Sequence, residues 1–372
     1  MASLAATAVV AVAATALLSR ALALALAERD RRAQQTRHRR EREFALLPGE
    51  PALVGLRRIF IGQLDLTIEL LTGENGVLPA AEAVHETRKA LKRMRTLVLL
   101  LEDELGEQAA ASEQALLREA GRKLAGARDS EVLVATLEAL KREHARRLDR
   151  RPGVGRLHAR LLAERERATA QLLGDKLTRA AVLSDLRELR GRVQAWQPEP
   201  KDGIDGLERG YRRLYARGRR RYARAASARG DRAAAMHRWR KSVKDLRYAA
   251  EALSRQPEEG GTLAALGGAG ALPPVVGRAK RRRREDPLAR LARRADRLGE
   301  RLGEEHDLFV LAQRVREPGC GRRTRRGLLK VINSRRKRLR RRALRDGERL
   351  YRRRPGRALA RVRRAFAQQA SA

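Results

Sequence analysis

The chain of 372 residues has one cysteine, Cys320, so neither an internal disulfide framework nor a cysteine-based zinc site can form. A single cysteine fits a reducing compartment. Aromatic residues make up 3%, which leaves few platforms for stacking unpaired bases, the usual device of single-strand nucleic-acid binders. Acidic residues are outnumbered, with 45 Asp and Glu against 85 Lys and Arg. Lysine is scarce as well, at 11 residues against 74 arginines. Long alternating β-type runs are missing, and Gly and Pro are clustered rather than evenly spaced, which argues against turn-rich all-β architectures. No GxxxxGK[ST], HExxH or GxSxG signature is present, so P-loop, zincin and α/β-hydrolase chemistry have no foothold.

What remains is 42% hydrophobic, rich in Ala and Leu, and dominated by helix formers. That composition predicts an all-α fold with enough apolar residues for a core. The net charge of +40 needs a polyanionic partner or abundant counter-ions. Nucleic acid, anionic lipid and inorganic polyanions are the candidates. An Arg-rich composition inherited from a GC-rich genome would explain Arg over Lys, but not 40 more bases than acids.

The most informative stretch is VHETRKALKRMR, residues 84–95, which returns as MHRWRKSVKDLR at residues 236–247. His85, Arg88, Lys89, Lys92 and Arg95 match His237, Arg240, Lys241, Lys244 and Arg247 without a gap, 152 residues apart (237 against 85). The chain therefore reads as a duplicated unit. On a helix, positions i, i+3, i+4, i+7 and i+10 share one face, which ordinarily carries apolar side chains. Here the face carries an imidazole and four cations, while Leu91, Met94, Leu97, Val98 and Leu101 lie opposite. Four of the 11 lysines stand at matched positions of the two copies, more than chance placement would give. A merely solvated face would be free to drift between copies.

A second pair of motifs follows. LAGARDSEVLVATL around Asp129 has a partner in LGEEHDLFVLA around Asp307, with Arg128 opposite His306. The offset is now 178 (307 against 129), so the second copy carries about 26 extra residues. They are accounted for by 256–287, Gly-rich, then Pro-Pro, then the basic run 280–284, read as an irregular insertion.

The rest of the chain falls into order around these motifs. Residues 1–27 are Ala/Leu/Val-rich with Arg20 the only charge, and an Arg-rich flank runs to 43. They are either an accessory helix or tail, or a membrane anchor whose basic flank would stay cytoplasmic. No basic n-region marks a secretory signal. After the break at 47–51, helices are expected over 54–71 and along the first stripe to about 105. Residues 112–140 hold the first Arg-Asp motif, and 156–193 are expected to form one or two helices. The segment 198–203 links the units. Further helices are expected over 208–226, 322–343 and 347–366. The domains are thus 1–43, a first repeat over 44–197, and a second over 198–372 that contains the insertion.

The paired H-x-x-R-K-x-x-K-x-x-R helices, the Arg-Asp and His-Asp motifs behind them, and the basic C-terminal helices with Pro355 before the last resemble the CHAD family, the histidine-bearing α-helical domain. The resemblance runs over roughly 44–366. It implies two four-helix bundles related by a pseudo-twofold axis, with a basic cavity between them. It also implies non-catalytic binding of inorganic polyphosphate, with no cofactor and no metal, in the cytoplasm at polyphosphate granules. The residues it implicates are His85, Arg88, Lys89, Lys92, Arg95, His237, Arg240, Lys241, Lys244 and Arg247, with His306 and Arg128 as weaker candidates. The apolar N-terminus and the Gly-rich insertion depart from the pattern.

The chemistry suits such a ligand. Polyphosphate offers no bases, only repeated negative charge, and a helical stripe supplies a cation about every 5.4 Å. Arg grips oxygens with a planar fork, whereas Lys acts as a point charge. The histidines, set among cations, should resist protonation until a polyanion arrives, so binding should tighten at mildly acidic pH. Asp129 and Asp307 are expected to pair with stripe cations or cap a helix. Reversing Lys89, Lys92, Lys241 and Lys244 should weaken binding without unfolding, because that face does not pack. His38, His144 and His158 read as ordinary polar helix residues with a hydrogen bond. Nucleic-acid backbone binding is the alternative, although no recognition-helix or RNP-type pattern is visible. Catalysis has little support: Glu41-Arg42-Glu43 begins the ExExK signature of triphosphate-tunnel enzymes, but Ala45 stands where Lys is required.

Overall fold

The computed structural model describes residues 43–73, 80–148, 151–201, 203–255 and 286–370. The N-terminal segment 1–42, with its alternative of a membrane anchor, and most of the insertion, 256–285, lie outside the described residues. Among the described residues the chain is all-helical, with one isolated bridge between Leu46 and Arg255. No helix among them is long and apolar enough to cross a membrane.

Thirteen helices follow one another among the described residues: α1 (Ala52–Thr72), α2 (Ala80–Leu100), α3 (Glu102–Leu105), α4 (Glu107–Lys123), α5 (Gly126–Glu143), α6 (Ala145–Leu148), α7 (Pro152–Gly174), α8 (Lys176–Ala195), α9 (Glu208–Ser227), α10 (Arg232–Ala252), α11 (Pro287–Arg316), α12 (Arg322–Leu350) and α13 (Pro355–Ala370). Local signals set their ends. Asp175, Asp231 and Asp286 cap α8, α10 and α11 by accepting from the backbone N–H of Thr178, Ala234 and Leu288. Pro152 and Pro287 stand in the first turns of α7 and α11, where a missing N–H costs nothing. Gly73 closes α1 in the left-handed region at φ 80°.

Residues 112–140 fall on two helices: the chain breaks at Leu124–Ala125, between α4 and α5, where the counterpart α11 runs unbroken for 30 residues. One boundary differs from the sequence expectation. Gly347 does not begin a helix but sits buried inside α12. A Cβ there would lie 2.4 Å from Trp239 Cζ2, so this glycine serves close packing, and the break comes instead before Pro355.

The apolar side chains gather in two clusters, and neither corresponds to one half of the sequence. The larger joins Phe60, Met94 and Leu186 to Tyr211, Trp239, Leu298 and Phe366. The smaller joins Leu137, Leu140, Leu157 and Leu161 to Leu308, Leu311, Leu328 and Ile332. Helix α11 contributes to both. Its residues up to Leu302 belong to the first cluster and those from Leu308 to the second. Between them lies the polar stretch Gly303, Glu304, Glu305, His306 and Asp307. The stripe on α10 packs beside this passage, and α10 in turn packs against α2 and α9.

Candidate functional site

The apolar halves of the two stripe helices behave as the spacing predicts. Leu91, Met94, Leu97, Val98 and Leu101 are buried, as are Trp239, Val243 and Leu246. The two helices pack on one another, and Lys92 is close enough to Lys244 to oppose its protonation. Arg95 and Lys241 likewise repel across the contact.

The second stripe is not open to solvent along its length. Helix α11 runs antiparallel to α10 in a fixed register. His237 stacks on His306, with ring centroids 4.3 Å apart. One turn on, the guanidinium of Arg240 lies over Gly303, its Nη2 3.4 Å from where a Cβ would stand. Next, the stem of Lys244 passes Gly299, its Cγ 4.0 Å from the corresponding point. Last, Arg247 pairs with Asp296. The steps along α10, three, four and three residues, are matched by the same steps back along α11. A Cβ at Gly299 or Gly303 would stand at van der Waals contact with these cations, so a side chain larger than alanine would compete with them for space. The spacing of Asp296, Gly299, Gly303 and His306 was visible in the sequence and is the complementary signal that the stripe alone did not reveal.

The expectation that the cationic face does not pack therefore holds for Lys92 and Lys241, which are exposed, but not for Arg240, Lys244 and Arg247. Packing shows in the protonation equilibria. Burial, with repulsion from Arg240, Lys92 and Arg247, lowers the Lys244 ammonium to about 7. Burial, His306, and then Lys241, Arg240 and Arg238 lower His237 to about 4. His306 falls to about 4 for similar reasons: burial first, then Arg240, Lys241, Arg336 and Lys244. Both imidazoles are thus neutral at pH 7. Nδ1 of His237 and Nε of Arg240 are buried with no hydrogen-bond partner in the structure, an arrangement that native proteins rarely leave unexplained.

Several predicted cations are already engaged. Arg88 lies 3.5 Å from Asp129 and donates to the Leu124 carbonyl at 3.0 Å. Lys89 pairs with Glu86 at 3.0 Å, and Arg247 with Glu251 at 2.6 Å as well as with Asp296. Arg95 reaches Gln114. His85 is half-buried on α2. The side chain of Arg128 lies outside the described residues, its backbone in the first turn of α5. Asp129 takes the expected part by meeting Arg88, and the charge of Asp307 favours the protonated forms of Arg240 and Lys244.

The charge is unevenly placed around this centre. On one side a cavity of about 680 Å³ opens between α5, α10 and α11. Arg240, Lys244, Arg247 and Arg335 line it, but so do Asp296, Glu300, Glu304 and Asp307, four cations against four carboxylates. On the other side, Lys241, Arg95 and Arg221 crowd together with Arg217 around a single carboxylate, Asp245. Arg217 binds Asp245 at 3.1 Å. Burial raises the Asp245 carboxyl, and the neighbouring cations oppose that rise. Arg217, Arg221 and Arg336, which completes the field around His306, were not singled out by the repeat, because a single sequence does not show which of 74 arginines converge. No group of three or more His, Cys, Asp or Glu among the described residues could hold a metal ion.

This geometry invites comparison with known proteins. No curated protein matches the sequence. The fold is similar to the solved structure described as PptA from Streptomyces chartreusis, with a TM-score of 0.54 at 16% identity, over 80% of this chain and 99% of that one. A second structure, the CHAD domain from the plant Ricinus communis, aligns over 79% of this chain and 87% of its own, with a TM-score of 0.45 and 19% identity. The family model of the CHAD domain matches residues 65–266, a span that holds both histidine-bearing stripes. The chain belongs to the CHAD domain family.

Proposed function

We propose that this protein binds inorganic polyphosphate, without catalysis, along the seam between α2 and α10. The carrying observation is the convergence of Lys92 and Arg95 from one repeat with Lys241 and Lys244 from the other, on helices in contact. A linear polyanion is the ligand that needs such a row. The Lys244 ammonium, lowered to about 7, and the two imidazoles, lowered to about 4, by burial first and then by their cationic surroundings, would gain protons as phosphate charge arrives. Membership of a family associated with polyphosphate supports this reading. The working location is the cytoplasm, at polyphosphate granules, and no cofactor is needed.

The test is polyphosphate binding by wild type and by the Lys92→Glu/Lys241→Glu double variant over a salt series. Both lysines are exposed, so the fold should survive. Wild-type affinity should fall steeply with salt through counter-ion release, and the variant should bind at least tenfold more weakly with a flatter slope. Unchanged binding by the variant would remove the seam from the function. Displacement of long-chain polyphosphate by duplex DNA at equal phosphate concentration would instead favour nucleic acid as the partner. Phosphate release from polyphosphate by the pure protein would overturn the non-catalytic reading.

A further inference from the structure

The seam does not end in neutral surface. Beyond Arg95 the C-terminal end of α2 meets the start of α9, so closely that a Cβ at Gly210 would lie 2.2 Å from the Leu100 carbonyl oxygen. Helix α9 carries Arg209, Arg212, Arg213, Arg217 and Arg220, a spacing that puts them on neighbouring turns of one side. Helix α13 packs against α9 and brings Arg354 and Arg357 at its N-terminus. Together these line an open groove of about 1100 Å³, with seven arginines and one carboxylate, Glu102. Asp103 holds Arg213 at 2.9 Å and Asp245 holds Arg217. Arg209, Arg212, Arg220, Arg354 and Arg357 have no ion pair among the described residues.

The groove is built, not incidental. The Tyr215 hydroxyl, on α9, donates to the carbonyl of Leu350 at 3.1 Å and lies 3.3 Å from that of Arg353, which fixes the turn leading into α13. Tyr351 of that turn packs against Tyr215 and Tyr222 and fits over Gly218. The amino end of α13 is thereby held against the groove, and Pro355 begins the helix there. The first amides of a helix lack intrahelical acceptors and add partial positive charge. Seven cations held together by buried aromatics, with acids enough to pair only Arg213 and Arg217, cost stability through self-repulsion. The cavity on the far side of the seam shows the contrary solution, four acids for four bases.

We propose that the polyanion track continues from the seam over Arg217 into this groove, so that one long polyphosphate chain occupies both and a short chain only the seam. Arg217 is the joint, since it lines the groove and also binds the Asp245 carboxylate that faces Lys241, Arg95 and Arg221. This rests on the polyphosphate reading above. It adds a second site and a consequence, selectivity for chain length.

The experiment compares tripolyphosphate with a polyphosphate of about a hundred residues, binding to the full chain by calorimetry over a salt series. Three proteins are used: wild type, the seam variant Lys92→Glu/Lys241→Glu, and a groove variant Arg209→Glu/Arg212→Glu/Arg357→Glu, with circular dichroism to check that each is folded. Arg209, Arg212 and Arg357 are exposed, so folding should be unaffected. The groove variant should keep tripolyphosphate affinity within about twofold, lose at least tenfold for the long chain, and show a flatter salt slope by about two. Arg→Lys at the same three positions should restore most of the long-chain affinity. Undiminished long-chain affinity in the groove variant would overturn the second site and leave the seam intact. Loss of long-chain binding in the groove variant, with the seam variant unaffected on both ligands, would place the ligand in the groove and refute the seam. Failure of wild type to bind either ligand would overturn both.

Discussion

His237 and His306 hold their imidazoles in contact, ring centroids 4.3 Å apart and planes tilted by 34°. Burial and the surrounding cations, Arg238, Arg240, Lys241, Lys244 and Arg336, bring both to about 4. Adding a proton to either is therefore unfavourable until negative charge arrives. On the proposed function, a bound polyanion would raise both, and binding would take up protons and strengthen as pH falls. Affinity for polyphosphate should rise between about pH 8.5 and about pH 5.5. At pH 7 the observed binding enthalpy should grow with the ionisation enthalpy of the buffer. The His237→Ala/His306→Ala variant should lose most of the rise below about pH 6. Equal affinity at the two extremes in wild type would remove the imidazoles from the site.

Lys244 carries a different signature. Its folded-state value of about 7 lies below the ordinary 10.5, so the folded protein binds fewer protons than the unfolded chain in that interval. The associated stability is present at high pH, is lost as pH falls from 10.5 towards about 7, and stays lost below that. Lys244→Met should therefore stabilise the protein, by on the order of 1 kcal/mol at pH 6, with the gain vanishing towards pH 10.5. The same substitution should weaken polyphosphate binding. Chemical denaturation at the two pH values checks the sign, and a uniform gain would mean that the methionine acts by packing alone.

Glu305 is 3% exposed and takes charge-assisted hydrogen bonds from Arg336 at 3.0 Å and Arg340 at 2.7 Å. Truncating it would leave Arg336, itself buried, without its counter-charge. Glu305→Ala should cost about 3–5 kcal/mol. A loss under 1 kcal/mol in urea unfolding would show that water replaces the carboxylate cheaply.

Gly347 and Trp239 make a tight crossing between α12 and α10, with Tyr222 on its other side. Gly347→Ala has to displace the indole, and Trp239 lies between His237 and Arg240 on α10. Destabilisation of about 1–3 kcal/mol is expected, with a shift in tryptophan emission. An unchanged melting temperature and spectrum would show that the crossing yields without strain.

Periodicity made the helices legible. Recurrence of apolar positions at helical spacing placed α1 and α9 within a few residues, and put the two cationic stripes on the helices α2 and α10. The break between α4 and α5 was not legible. Its sequence, Leu124-Ala125-Gly126, contains one weak helix breaker, and α11 tolerates Gly299 and Gly303 without interruption. What distinguishes the two is packing: the α11 glycines lie under Arg240 and Lys244. The division of the stripe was equally invisible. Equal spacing gave Lys241 and Lys244 equal standing, yet one is exposed and the other is wedged against α11.

The order of residues alone determined an all-helical chain, a repeated pair of cationic stripes, and an excess of positive charge. These follow from local periodicity and net charge, which need no neighbours. Only the tertiary structure decided which cations keep a free charge. Asp129, Asp296 and Glu251 withdraw some of them, the α11 register partly buries others, and Arg217, Arg221 and the groove arginines join from helices distant in the chain. Electrostatic pairing depends on distance in space, and the fold sets that distance.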